Sequence, residues 1–172
     1  HRATLTTQAL VKQLNRQSEH RLVEAESFAA LAARDGAEYP HEDLDKNWQD
    51  LLYNQFHDIL PGSSINEVYQ DTHPQMQGIV DNASRIRDEA IATRVGAGSG
   101  AYAITNPGFD DRPLTALLPA NAEIGGSHTQ KVADGVLIRN NAEVLGPFET
   151  RVMSAESESS DSSSTIEAVS AS

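Results

Sequence analysis

The chain has 172 residues, with 13 Lys and Arg against 25 Asp and Glu, for a formal net charge of −12, and its length suits one domain or one domain with part of another. That acidity argues against nucleic acid or an anionic membrane as a partner, because phosphate contacts need clustered cations. There is no cysteine, which removes disulfides, thiol nucleophiles and Cys-ligated zinc, and no apolar run approaches the ~20 residues that span a bilayer.

His1 opens directly into polar sequence, without Met, charged n-region or apolar h-region. The chain therefore reads as part of something longer. The first helical pattern runs from Thr7 to Arg34, with Val11, Leu14, Leu22, Ala25, Phe28, Ala29 and Ala32 near one face. Gly36 and Pro40 stop it. A second runs from Asp43 to Asp58 on Leu44, Trp48, Leu51, Leu52, Gln55 and Ile59, and Pro61-Gly62 closes it. The third opens on Ser64, three residues before Glu67, a capping-box spacing. Val68, Thr72, Met76, Ile79, Ala83, Ile86 and Ala90 carry its apolar face to Thr93, and Pro74 inside it predicts a kink or local opening. Three amphipathic helices with short connections predict an antiparallel three-helix bundle over 7–95.

Residues 96–100, Gly-Ala-Gly-Ser-Gly, have a linker's composition. Beyond them Tyr102–Ile104, Leu114–Leu118, Val136–Ile138 and Phe148–Met153 read as strands over 101–153. Asn106-Pro107-Gly108 and Asp134-Gly135 supply turn signals. Four short strands are the start of a β-sandwich rather than a closed domain. The tail, 154–172, is Ser-, Glu- and Asp-rich, and that composition predicts disorder. The fold class is therefore mainly α, a three-helix bundle followed by a few strands of an incomplete β-sandwich.

The densest chemical constellation is Asn54-Gln55-Phe56-His57-Asp58-Ile59-Leu60-Pro61-Gly62-Ser63-Ser64. A neutral imidazole is the commonest metal ligand, and the adjacent carboxylate can orient a ligand or accept sugar hydroxyls. One His with one Asp at a helix end is ordinarily a capping or solvated pair. Zinc needs three or four ligands, which nothing nearby in the sequence supplies. His20 reads as solvent-facing, His41 and His128 as loop residues, and His73 as a helix-surface residue. Trp48 and Phe56 could stack on a sugar, although an aromatic at helical spacing is more often core.

From Trp48 to Tyr69 the sequence WQDLLYNQFHDILPGSSINEVY resembles the signature of glycoside hydrolase family 38, the α-mannosidases, and most closely its cytosolic/vacuolar-type branch. The opening HRATLTTQ is similar to the family's barrel-exit segment, with Ala3 and Leu5 where Gly and Tyr are usual. Asn15-Arg16 and Ser18-Glu19 match the N-R-x-S-E that follows, and Ile104-Thr105-Asn106-Pro107 matches the turn opening the β-sandwich.

The resemblance implies that residues 1–6 end a catalytic barrel and that 7–95 form the middle domain. It implies a retaining, metal-dependent α-mannosidase acting in mannose metabolism, with zinc as the usual ion and cobalt an alternative. Carried over residue by residue, His57 is the middle domain's metal ligand, Asp58 contacts mannose hydroxyls and Phe56 shapes the pocket. The nucleophile and the other metal ligands would lie upstream of His1, so the chain alone is expected to be inactive, to bind metal weakly and to meet α-mannoside only beside the missing barrel. A cytoplasmic location is expected, and an exposed apolar face leaves self-association open. The alternative is a non-catalytic helical interaction or structural module.

Overall fold

The computed structural model describes residues 7–96, 101–120, 122, 128–154 and 167–170. The expected barrel exit over 1–6, residues 97–100 of the linker and most of the tail lie outside them. The chain divides into two compact units, 1–90 and 91–172.

The first unit is helical. Helices α1 (Ala9–Arg34), α2 (His41–Asn54) and α3 (Asn66–Val95) bury the faces that the 3.6-residue period marks. The main core joins Leu14, Leu22, Ala25 and Ala29 of α1, Leu44 and Leu51 of α2, and Met76, Ile79, Ala83 and Ile86 of α3, with Trp48 packed on it. Leu52, expected on that face, is exposed instead; it follows buried Leu51 by one residue, which turns it away from the core.

Polar contacts fix the helix directions. Gln55, just past the end of α2, reaches Glu19 in the first half of α1, and Asn54 and Asp43 of α2 meet Gln75 and Arg85 of α3 in reverse order. Ser18 and Glu24 of α1 meet Met76 and Arg87 of α3 in the same order. Hence α2 runs antiparallel to both neighbours, the expected up-down-up bundle. Pro74 does not break α3, which is helical throughout. Pro74 and Gln70, whose carbonyl loses its usual donor, both lie on the exposed face, where water can serve that carbonyl.

The second unit carries strands β1 (Ala101–Thr105), β2 (Arg112–Leu118), β3 (His128–Val132), β4 (Gly135–Leu145), β5 (Thr150–Ser154) and β6 (Glu167–Ser170). They form two three-stranded sheets, ordered β5-β1-β6 and β2-β4-β3. Leu114, Ala116 and Leu118 alternate inward along β2 and pack with Ile104, Val136, Ile138 and Leu145. Ala133 and Asp134 close the β3–β4 hairpin, in which Val132 faces Gly135. A Cβ at Gly135 would collide with the Leu118 carbonyl, so the β2–β4 pairing requires glycine there.

Asn106 is fully buried at the end of β1. Its amide donates to the carbonyls of Asp110, Leu145 and Gly146 at 2.7–3.0 Å, and its side-chain oxygen accepts from Gly108 N–H at 2.9 Å. The Asn-Pro turn seen in the sequence is thus a hydrogen-bonding hub for the surrounding loops.

Two strands lie outside those expected from the sequence. β3 was not predicted: its residues His128-Thr129-Gln130-Lys131-Val132 are all exposed, so no alternation marks them. The tail is not without structure, because residues 167–170 form β6, parallel to β1 with Tyr102 opposite Glu167.

Candidate functional site

The Phe56-His57-Asp58 segment lies just beyond α2, because the helix ends at Asn54 rather than at the expected Asp58. Polar side chains bracket that end. Asn54, fully buried, donates its amide to the Asp50 carbonyl at 2.8 Å and to Gln75 Oε1 at 3.0 Å. Gln55 donates to both Asn15 Oδ1 and Glu19 Oε1 at 3.0 Å. Asn15 and Glu19 come from the N-R-x-S-E stretch and Gln55 from the N-Q-F-H-D stretch. Two separate sequence motifs therefore meet as one hydrogen-bonded cluster on the upstream side of the turn.

The chain then folds tightly. The Phe56 carbonyl accepts from Ile59 N–H at 2.9 Å and Leu60 N–H at 3.1 Å, and Gly62 N–H donates to Ile59 O at 3.0 Å. This sends Ile59 inward, where it packs with Val11 and Tyr69. Phe56, His57 and Asp58 are left outside, with 78% of the His57 side chain and 52% of the Asp58 side chain exposed. Gly62 has φ +89, and a Cβ there would stand 2.8 Å from the Thr7 carbonyl oxygen. Lys12 Nζ donates to the carbonyls of both Thr7 and Pro61. The turn is thereby seated on the start of α1.

Ser64 behaves differently from the capping-box expectation. α3 begins at Asn66, and the Ser64 hydroxyl donates to the Asp58 carbonyl at 2.6 Å. Its backbone N–H donates to the Tyr69 hydroxyl at 3.1 Å.

His57 Nε2 and Asp58 Oδ2 are 3.4 Å apart, an ion pair only when the imidazole is protonated. The Phe56 and His57 rings lie 4.1 Å apart between centroids, tilted by 48°. Side by side at the surface, the group offers one nitrogen donor, one carboxylate and an apolar ring. It can contribute to a cation's shell or take sugar hydroxyls beside an apolar face. It does not make a whole metal site: among the described residues no three His, Cys, Asp or Glu side chains gather where they could hold an ion, and structural or catalytic zinc needs three or more protein ligands. The described residues thus fit a share of a shell.

The other candidates fall elsewhere. Trp48 belongs to the main core. His20 is exposed, as expected. His41 is the first residue of α2 and His128 the first of β3, both exposed rather than in loops. His73 is half-buried instead of on the surface, its ring 6.0 Å from that of Tyr69. Of the positioning side chains, Gln55 reads from the sequence as a helix-face residue and Ser64 as a capping residue, and Tyr69 carries no mark, although all three lie inside the stretch that carries the family resemblance.

The family model described as "Alpha mannosidase middle domain" matches residues 1–93. The alpha-mannosidase of Saccharomyces cerevisiae is 36% identical over 95 residues, covering 53% of this chain and 9% of that protein. Human alpha-mannosidase 2C1 is 30% identical over 138 residues, covering 75% of this chain and 12% of that protein. The chain therefore spans about a tenth of the length of these curated relatives. The solved structure of an alpha-mannosidase from Enterococcus faecalis V583 superposes with a TM-score of 0.68 at 17% identity, over 93% of this chain and 25% of that one. This last likeness is one of fold.

Proposed function

The chain belongs to the alpha-mannosidase middle-domain family, and on that premise we propose that it is the middle part of a metal-dependent, retaining α-mannosidase that removes terminal α-D-mannosyl residues. The observation that carries the reading is the exposed His57–Asp58 pair on an otherwise well-anchored turn. An exposed pair, held outward by buried groups on both sides, suits completion of a site whose other groups come from elsewhere. In this reading His57 supplies one imidazole to a divalent ion, zinc or alternatively cobalt. Asp58 accepts mannose hydroxyls and Phe56 lines the pocket. The carboxyl pair that retaining glycosidases hold ~5–5.5 Å apart is assigned to no residue of this chain. The isolated chain is accordingly inactive and a weak metal binder. The whole protein acts in the cytoplasm; among the described residues no helix is long and apolar enough to cross a membrane.

The test is hydrolysis of an aryl α-mannoside by the full-length protein, before and after chelation, with zinc or cobalt restored, beside His57→Ala. Chelator-sensitive activity that disappears in His57→Ala supports the reading. An inactive full-length protein with both metals supplied would leave the family assignment standing and move the function to another glycoside or to a non-catalytic role. Turnover by the isolated 172-residue chain would show that the catalytic groups lie within it.

A further inference from the structure

Phe56, His57 and Asp58 are all exposed, so little in their own packing fixes the direction in which they project. Holding such a stretch in one conformation costs about 1–2 kcal/mol per residue in backbone entropy, and the fixing groups must come from outside it. On the downstream side they come from one buried hydroxyl, that of Tyr69, and from the hydroxyls of Ser64 and, at longer range, Ser63. Tyr69, in the first turn of α3, is 2% exposed and packs with Val11 and Ile59. Its hydroxyl donates to the Ile59 carbonyl at 3.2 Å, with the Asp58 carbonyl at 3.4 Å, and accepts from Ser64 N–H at 3.1 Å. The Asp58 carbonyl also accepts from the Ser64 hydroxyl at 2.6 Å and from the Ser63 hydroxyl at 3.4 Å. Two consecutive carbonyls following His57 are thus tied to the segment that starts the next helix. A phenylalanine would fill the same core volume, so packing alone does not call for the hydroxyl.

We propose that Tyr69 is a positioning residue, its hydroxyl acting with that of Ser64 to set the direction in which His57 and Asp58 project. The role predicts a loss of direction at His57 without a loss of fold when the hydroxyl is removed. Only the kinetic arm of its test rests on the α-mannosidase reading.

The structural arm uses NMR of the full 172-residue chain. The Phe56 ring, 4.1 Å from that of His57, displaces the His57 ring-proton shifts by its ring current. Tyr69→Phe is expected to return those shifts toward free-histidine values while the chain stays folded, and Ser64→Ala, at a half-buried position, to do so if Tyr69→Phe folds poorly. Ile79→Ala, which opens a cavity in the main core, should lower stability and leave the shifts in place. Undisplaced shifts in the parent chain, unchanged shifts in both hydroxyl variants, or an equal loss in Ile79→Ala would each overturn the proposal.

The kinetic arm uses the full-length protein. Tyr69→Phe should lower kcat/KM roughly 10-fold, the lower end of what outer-shell changes cost, with the loss in kcat, whereas Ile79→Ala should leave kcat unchanged at a temperature where it is folded. An unchanged kcat in Tyr69→Phe overturns the role. A full-length protein without activity counts against the α-mannosidase reading and leaves the NMR result to decide this one.

Discussion

Gly62→Ala should destabilise the helical unit distinctly more than Gly36→Ala, and the structure supplies the reason for the difference. Both glycines have positive φ, +89 at Gly62 and +103 at Gly36. Placing an L-residue there costs about 1–2 kcal/mol, partly offset by the ~0.4–1 kcal/mol that alanine gains from a stiffer unfolded chain. At Gly36 a new Cβ meets nothing within 4 Å, so about 1 kcal/mol is the whole effect. At Gly62 the Cβ would stand 2.8 Å from the Thr7 carbonyl oxygen and 3.0 Å from its Cγ2. Relieving such an overlap adds roughly 1–3 kcal/mol, giving about 2–4 kcal/mol in all. Urea unfolding read by tryptophan fluorescence isolates the relevant unit, because the only tryptophan, Trp48, sits against the helical core. In thermal melts each kcal/mol corresponds to about 4–8 °C for a unit of this size. A Gly62→Ala variant within about 0.5 kcal/mol of Gly36→Ala, the scatter of ordinary surface changes, would refute the seating of the turn on Thr7.

The buried cation of the bundle gives a second ordering. Arg87, with 8% of its side chain exposed, pairs with Glu24 at 3.0 Å and Asp88 at 2.7 Å, while Glu24 also holds Arg21 at 2.6 Å. Glu24→Ala leaves the Arg87 guanidinium short of a buried partner and should cost roughly 2–4 kcal/mol, somewhat under the ~3–5 kcal/mol for a wholly unpaired buried charge because Asp88 remains. Arg87→Met removes the buried charge and leaves Glu24 with Arg21, so it should cost less; chemical denaturation showing the reverse order would contradict this account. In the second unit, the Gly146 N–H and then the Arg151 guanidinium hold the Glu149 carboxyl below its usual range. A lowered folded-state pKa means a stabilisation fully present above the unfolded value near 4.5 and lost as pH falls through the lower folded value. Glu149→Gln should flatten the stability of this unit across that acid window, and an unchanged pH slope in the variant would assign the dependence to another group.

The helices were readable because their apolar residues recur every three to four positions, and nearly every residue that the period marked is buried. Where α2 stops was not readable. Leu51, Gln55 and Ile59 continue the period, but Gln55 finds its partners on α1 and the chain turns there instead. β3 left no signal because it is exposed along its whole length, at the edge of the β2-β4-β3 sheet among the described residues. At the site, Phe56, His57 and Asp58 stood out through the family resemblance rather than through local physics. Of the groups that aim them, Tyr69 carries no mark in the helical period and Ser64 reads as a cap. Their hydrogen bonds join positions five to eleven residues apart across a turn, and a linear pattern does not encode such a geometry.

The pairing of β1 bears on the order in which the chain can fold. The helical unit is closed by contacts within its first 90 residues, β3 and β4 close as a hairpin, and β2 meets β4 across 18 to 33 residues, as the differences 136 − 118 and 145 − 112 show. β1 is different: Thr105 pairs with Thr150, and on its other side Tyr102 pairs with Glu167. During synthesis β1 therefore emerges with both edges unpaired and waits while some 45 and then 65 further residues are made, as the differences 150 − 105 and 167 − 102 show. Distant pairings of this kind are slow because the loop must close before any contact stabilises it. Between the early bundle and the late closure of its sheet, β1 is an open edge on the nascent chain, and it is there that a chaperone or an aggregating neighbour would find a strand to bind.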